Sequence, residues 1–171
     1  MESGEQTYRA LTGIDIEEQK RLWDARGKGY YGEYLVFSEI YQNVIGDAKI
    51  LMNLQVPTPD GKITEIDLLL LHESGIYIFE MKHYKGTIYG DDNGKIWTQY
   101  FRTVKNQHFN NPIHQNQYHV EAIKEMFPSL PVQSCIVFTN PECELRVTVN
   151  SKDVKVCSIH ALKMLFSVSI R

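Results

Sequence analysis

"EIDLLLLHESGIYIFEMKHYKG", residues 65–86, reads as two apolar runs joined by a turn, with charge set among the core residues. Asp67 lies in the first run, and Glu80 and Lys82 lie in the second. A four-residue connection, His72 to Gly75, with Gly at its last position, is a common hairpin loop. It pairs Leu71 with Ile76, and counting outward it sets Asp67 opposite Glu80 and Glu65 opposite Lys82. Side chains alternate along a strand, so all four charges then share a face with Leu69, Leu71, Ile76 and Ile78. The other face carries Ile66, Leu68, Leu70, Tyr77, Phe79 and Met81. Both faces are apolar, as in strands buried inside a sheet. Directly opposed like charges destabilise a strand pair, so a protonated carboxyl or a cation is expected between the acids. A three-residue loop with a glycine bulge would shift the register by one and part the acids. Ion pairs, Glu65 with Lys82 and Asp67 with a distant Lys or Arg, are the structural alternative to a site.

Upstream, a helical pattern begins near Ile16, breaks at "ARGKG" (25–29) and resumes over residues 30–45. "AKILMNLQVP", 48–57, reads as a strand stopped by the turn-rich "PTPDGK". Downstream, "GTIYGDDNGKIWTQY" reads as a smaller hairpin around Asn93-Gly94. "NNPIHQNQYHVEAIKEMF" reads as a helix capped by Asn111, with Pro112 in its first turn. "SCIVFT", 134–139, is a buried strand, "RVTVN" and "KVCSI" are short strands, and "HALKMLF" is a closing helix. Residues 1–15 read as an N-terminal arm and 16–171 as a single domain. The order helix, three strands, helix, strand predicts an α/β core with a mixed central sheet flanked by helices on both faces.

The flanking helices add polar groups in unexpected places. In residues 33–44, Val36, Phe37, Ile40 and Val44 form one helical stripe, and Glu33 lies on its centre line. An unpaired acid on a core-facing stripe is costly. Its bland explanation is a first-turn Glu favoured by the helix dipole. In the later helix Gln115 and His119 lie one turn apart on one side, above Ala122 and Met126. Gln115 is suited to orient Lys82, a water or a phosphate; a plain helical hydrogen-bond network accounts for it equally.

The chain's 171 residues suffice for one domain with a real core. At 43% hydrophobic and 23% charged it has the composition of a soluble globular protein. No apolar run is long enough to span a bilayer, and the acidic N-terminus has no signal-peptide core. Cys135, Cys143 and Cys157 form no metal-ligand pair, and a reduced cytoplasmic setting is expected. A net charge of −3 argues against a purely electrostatic nucleic-acid binder but leaves room for a metal-using enzyme with acidic ligands. Residues 82–105 are locally basic through Lys82, Lys85, Lys95, Arg102 and Lys105. Tyr84, Tyr89, Trp97, Tyr100 and Phe101 are interleaved with them, a pattern that suits charge and stacking contacts to a nucleic-acid strand and equally suits an ordinary solvated hairpin.

The ordered set "GYYGE", "EID", "YIFEMKHYKG" and "NPIHQN", spanning about Gly29 to Thr139, resembles the nuclease-related domain family, NERD. That family is similar to the restriction-endonuclease-like superfamily, whose mark is Asp, a spacer, then Glu or Asp, any residue, Lys. The resemblance implies a restriction-endonuclease-like α-β-β-β-α-β core and metal-dependent hydrolysis of phosphodiester bonds in nucleic acid, expected to be DNA. It implies Asp67 and Glu80 as ligands of Mg²⁺ or Mn²⁺, with the Met81 carbonyl as a further ligand. Lys82 is implied to serve the attacking water and the phosphate, with Glu33 and Gln115 in support. Related nucleases often carry Tyr four residues after that Gln, where this chain has His119. A nucleic-acid-binding or sensing module with the same fold and little cleavage is the alternative. No membrane association is expected, and the sequence leaves the oligomeric state open.

Overall fold

A computed structural model describes residues 3–21 and 27–169. Three helices come first: α1 (Gly4–Thr12), α2 (Ile16–Arg21) and α3 (Gly27–Asn43). They lead into a meander of β1 (Ala48–Pro57), β2 (Ile63–His72) and β3 (Gly75–Lys82). Then come β4 (Gly86–Asp91), β5 (Ile96–Tyr100), β6 (Gln107–Asn110) and α4 (Pro112–Met126). The chain closes with β7 (Val132–Phe138), β8 (Cys143–Thr148), β9 (Val154–Ser158), a 3₁₀ turn and α5 (Leu162–Ser169). No helix among the described residues is long and apolar enough to cross a membrane.

The strands form two mixed sheets, consistent with a restriction-endonuclease-like fold. The main sheet has the order β1-β2-β3-β7-β9, antiparallel through β3 and parallel beyond it. The second has the order β6-β5-β4-β8. One face of the main sheet packs on α1, α3 and α5 through Leu68, Leu70, Phe79 and Val137 against Tyr8, Val36, Phe37 and Ile40. The opposite face packs on α4 through Leu69, Ile76 and Ile78 against Val120 and Ile123. Trp97 stacks on Phe138 and joins the second sheet to the end of β7.

The hairpin that decides the fold has the expected register: Leu71 pairs with Ile76. Its loop is tighter than the four residues expected, because His72 also pairs with Gly75 and only Glu73-Ser74 turns. Gly75 has φ +142°, and a Cβ there would meet the Pro131 carbonyl at 2.7 Å, so the site demands glycine. The hairpin around Asn93-Gly94 is also present, but neither residue has positive φ, as a two-residue Asn-Gly turn would require. Asp91 makes the turn instead, its Oδ1 accepting from the N–H groups of Asn93 and Gly94. The α4 start is as expected: Asn111 Oδ1 accepts from the Ile113 N–H at 2.9 Å, and Pro112 follows.

Within the stretch read as an N-terminal arm, residues 4–12 form a helix, started by a Ser3–Gln6 capping box and anchored by the fully buried Tyr8 between Tyr34 and Phe37. The expected helix break at 25–29 falls partly on residues 22–26, outside the described residues, and α3 starts at Gly27. Ile66, expected on the face of Leu68, packs with Leu54 and Val56 on the α4 side. The cause lies in β1. Asn53 has φ +52°, and its pairing with Asp67 is missing from an otherwise regular ladder. Met52 packs on the α3 side and Leu54 on the α4 side, although residues two apart normally share a face. The β1–β2 ribbon therefore turns over at Asn53 and Asp67.

Candidate active site

The acids of the hairpin sit where its two strands separate. The β2–β3 ladder ends at the Leu68–Phe79 pair, and Asp67 and Glu80 are the next residue on each strand. Because the ribbon turns over at Asp67, this carboxyl is set edge-on between the α3 and α4 layers. Burial, then repulsion by Glu80, pushes Asp67 up to about 6, with Lys82 and His119 opposing the rise. From the other layer, Glu33 is pushed up to about 7 by burial first, then by Asp67 and Glu65. Asp67 thus feels Glu80 on its own sheet and Glu33 from α3, in a partly dry setting.

Glu80 continues the Ile76 and Ile78 face beneath α4 and is buried. Lys82 Nζ donates to Glu80 Oε1 at 2.6 Å and to Gln115 Oε1 at 2.9 Å. The expected Glu65–Lys82 pairing does not form: the ladder has ended, and Glu65 is exposed opposite Gln55 on β1. Met81 is oriented by alternation. Ile76 donates to the Pro131 carbonyl and Lys82 accepts from the Thr139 N–H, so these residues turn their backbone groups toward β7. The Met81 carbonyl then faces the β2 side, beyond the last ladder pair.

Glu33 reaches the cluster because of its neighbour. A Cβ on Gly32 would lie 2.6 Å from Thr139 Oγ1, so only glycine lets α3 approach the end of β7 this closely. On the α4 side, sequence reasoning overlooked Asn116. It is fully buried, and its Nδ2 donates to the Ile78 carbonyl at 3.1 Å and to Ser134 Oγ at 2.8 Å. Its Oδ1 faces His119 Nδ1 at 3.1 Å. A carbonyl can only accept, so the Asn116 amide has one orientation, and His119 Nδ1 carries the proton. His119 Nδ1 also lies 4.0 Å from Glu80 Oε2, and burial lowers the ring below its ordinary pKa against the opposing pull of Asp67. An amide three residues before the histidine on an otherwise apolar helical side was the signal available for this network.

The remaining expected residues are spread out. Lys95 lines a cleft of about 490 Å³ with Gln115, Tyr118 and His119, beside the acid cluster. Lys85 lines a larger cleft of about 640 Å³ with His83, Glu39 and His160. That larger cleft holds none of Asp67, Glu80 or Lys82, so its size does not mark the chemistry. Arg102 and Lys105 lie on an exposed loop. Of the interleaved aromatics, Trp97 is core, whereas Tyr89 and Tyr100 are exposed and meet edge to face.

As a donor set, Asp67, Glu80 and the Met81 carbonyl are hard oxygens. No three His, Cys, Asp or Glu side chains among the described residues gather closely enough to enclose an ion. Mg²⁺ commonly takes one or two protein carboxylates and keeps several waters, so these residues fit it better than a closed zinc cage.

The sequence model of the nuclease-related domain matches residues 28–139, which contain every residue of this cluster. An uncharacterized protein of Bacillus anthracis is 39% identical over 129 residues, covering 74% of this chain and 59% of that protein. The chain thus spans less than two thirds of that relative's length.

Proposed function

Since this chain belongs to the nuclease-related domain family, within the restriction-endonuclease-like superfamily, we propose that it hydrolyses phosphodiester bonds in DNA with a divalent metal ion, Mg²⁺ or Mn²⁺. The observation that carries this reading is the parting of β2 and β3, where Asp67, Glu80 and Lys82 meet Glu33 and Gln115. Asp67, Glu80 and the Met81 carbonyl hold the ion. When bound, it supplies Lewis-acid charge on the phosphate and lowers the pKa of a water.

The chain's own groups do the rest. Gln115 and Glu80 hold the Lys82 ammonium at the rim, where its charge offsets the negative charge that develops on the phosphate. Glu33, raised to about 7, is suited to exchange a proton with the water network at neutral pH. The apolar strands behind the cluster exclude water and strengthen each of these interactions.

A binding or sensing module is the second reading. The 2.6 Å Lys82–Glu80 pair favours it, since this pair satisfies both charges without substrate, as does the net charge of −3. The two readings separate in one series. Purified protein is incubated with linear, circular and single-stranded DNA in Mg²⁺, Mn²⁺ or EDTA, beside Asp67→Ala and Lys82→Ala. Metal-dependent cutting lost in both variants supports the enzyme. DNA retention without cutting supports the module. Cutting that persists in both folded variants rejects the site.

A further inference from the structure

We infer that the cleft between α4 and the ends of β5 and β6 seats one nucleotide of the strand, beside the phosphodiester bond that is cut. This rests on the nuclease reading and adds to it a subsite with its own residues. The cleft's volume, about 490 Å³, suits a small organic ligand. Gln115 lines it and also holds Lys82, so an occupant lies next to the cluster, while Asp67, Glu80 and Lys82 do not line it.

The lining has the three chemistries a nucleotide needs. Tyr118 is 64% exposed and presents a ring for a base to stack on. Lys95, exposed in the turn just before β5, offers charge to a phosphate. His119 is the most specific element. It is only 6% exposed, yet it lines the cleft. Its Nδ1–H is committed to Asn116, and that ring edge is the one 4.0 Å from Glu80. Nε2, on the remaining edge, has no protein partner among the described residues and is left as an acceptor for the cleft. Nε2 is open to the cleft rather than sealed in the core, so a donor on a ligand there can pair with it. Nucleotides supply such donors as a base amino group or a sugar hydroxyl. Gln115, with Oε1 taken by Lys82, has its amide N–H groups left for a phosphate or base oxygen.

The test titrates dAMP, dTMP and AMP into the whole chain in EDTA, following backbone amide and imidazole ¹⁵N shifts. The expected result is millimolar or tighter binding that moves His119 Nε2 and the residues around Tyr118. Tyr118→Ala, a change at an exposed position, is expected to weaken dAMP binding about tenfold, as loss of one stacked base does, and Lys95→Ala to weaken it further. Tighter binding of dAMP and AMP than of dTMP assigns the donor to the base amino group. Tighter binding of AMP than of dAMP assigns it to the sugar hydroxyl. The inference is overturned if no nucleotide binds, if shifts gather at His83 and His160, or if Tyr118→Ala changes nothing. It is also overturned if Mg²⁺ alone moves His119 Nε2 and nucleotides do not, which would give His119 to the metal's water. Metal-dependent cutting without nucleotide binding sinks the subsite alone. Nucleotide binding without cutting upholds the subsite and sinks the nuclease reading.

Discussion

Glu33 is a residue the fold carries at a cost. Its carboxyl rises from an ordinary value of 4.5 to about 7, chiefly through burial. A carboxyl raised on folding costs nothing below about pH 4, where both states are protonated. The cost grows as pH climbs through the window from 4.5 to about 7 and is complete above it. Glu33→Gln is therefore expected to stabilise the protein at pH 8, by up to about 3 kcal/mol before water screening is allowed for. The gain should fade to nothing near pH 4, and urea melts at the two pH values check it. A gain of equal size at both would mean that the charge is not the cause. A residue kept against stability is what a site requires. The sequence pointed to Glu33 through its place on an apolar helical stripe, but not to the reason it can be there. That reason is Gly32 against Thr139, a contact between residues far apart in the chain that no local pattern encodes.

Two elements place the acids, and each can be perturbed alone. Asn53 turns the β1–β2 ribbon over in a left-handed conformation, which Asn tolerates and β-branched residues do not. Asn53→Gly should leave stability nearly unchanged, whereas Asn53→Val should cost about 1–2 kcal/mol. The Val variant should also lose cutting, as Asp67 leaves its edge-on position. Equal stability of the two variants would contradict the role given to Asn53. For α3, Gly32→Ala should cost about 1–3 kcal/mol by overpacking against Thr139. In a Thr139→Ala background the cost should shrink, giving a coupling of about 1 kcal/mol in a double-mutant cycle. Additive effects would mean that the close approach of α3 and β7 is not what glycine permits. At this scale the sequence was unevenly legible. The β2–β3 register could be read because apolar residues fill both faces and charge marks where pairing stops. The start of α4 could be read because Asn111 and Pro112 are cap chemistry. The reversal at Asn53 could not, since a single left-handed residue leaves periodicity intact on either side. Nor could β6, whose four residues, "QHFN", are too few and too polar to announce a strand. Residues 4–12 read as an arm because one tyrosine does most of their anchoring.

Over the whole molecule, the two sheets and their helices converge on one rim. The main sheet carries Asp67 and Glu80 where β2 and β3 part, α3 brings Glu33 from one side, and α4 brings Gln115 and His119 from the other. The turn between β4 and β5 adds Lys95 beside α4. The family pattern made this convergence readable in advance as an ordered set of short motifs. The cleft proposed for a nucleotide was not readable, because its lining comes from β2, the turn before β5, the end of β6 and α4 at once. On the proposed reading this rim is a metal-dependent nuclease site built at the expense of stability. Asp67→Asn tests both halves at once. Asp67 is raised from 3.8 to about 6 by burial and by Glu80, so by the same sign argument as for Glu33 its charge weakens the fold at pH 8 and not at pH 3. The most direct measurement is the rate of DNA cleavage in Mg²⁺ by Asp67→Asn, with its melting temperature recorded at pH 8. Asp67→Asn should melt higher than wild type and cut slower by at least about 100-fold, the scale of losing a preorganised charge. A stable Asp67→Asn variant that cuts DNA at the wild-type rate would mean that the rim is not the nuclease site.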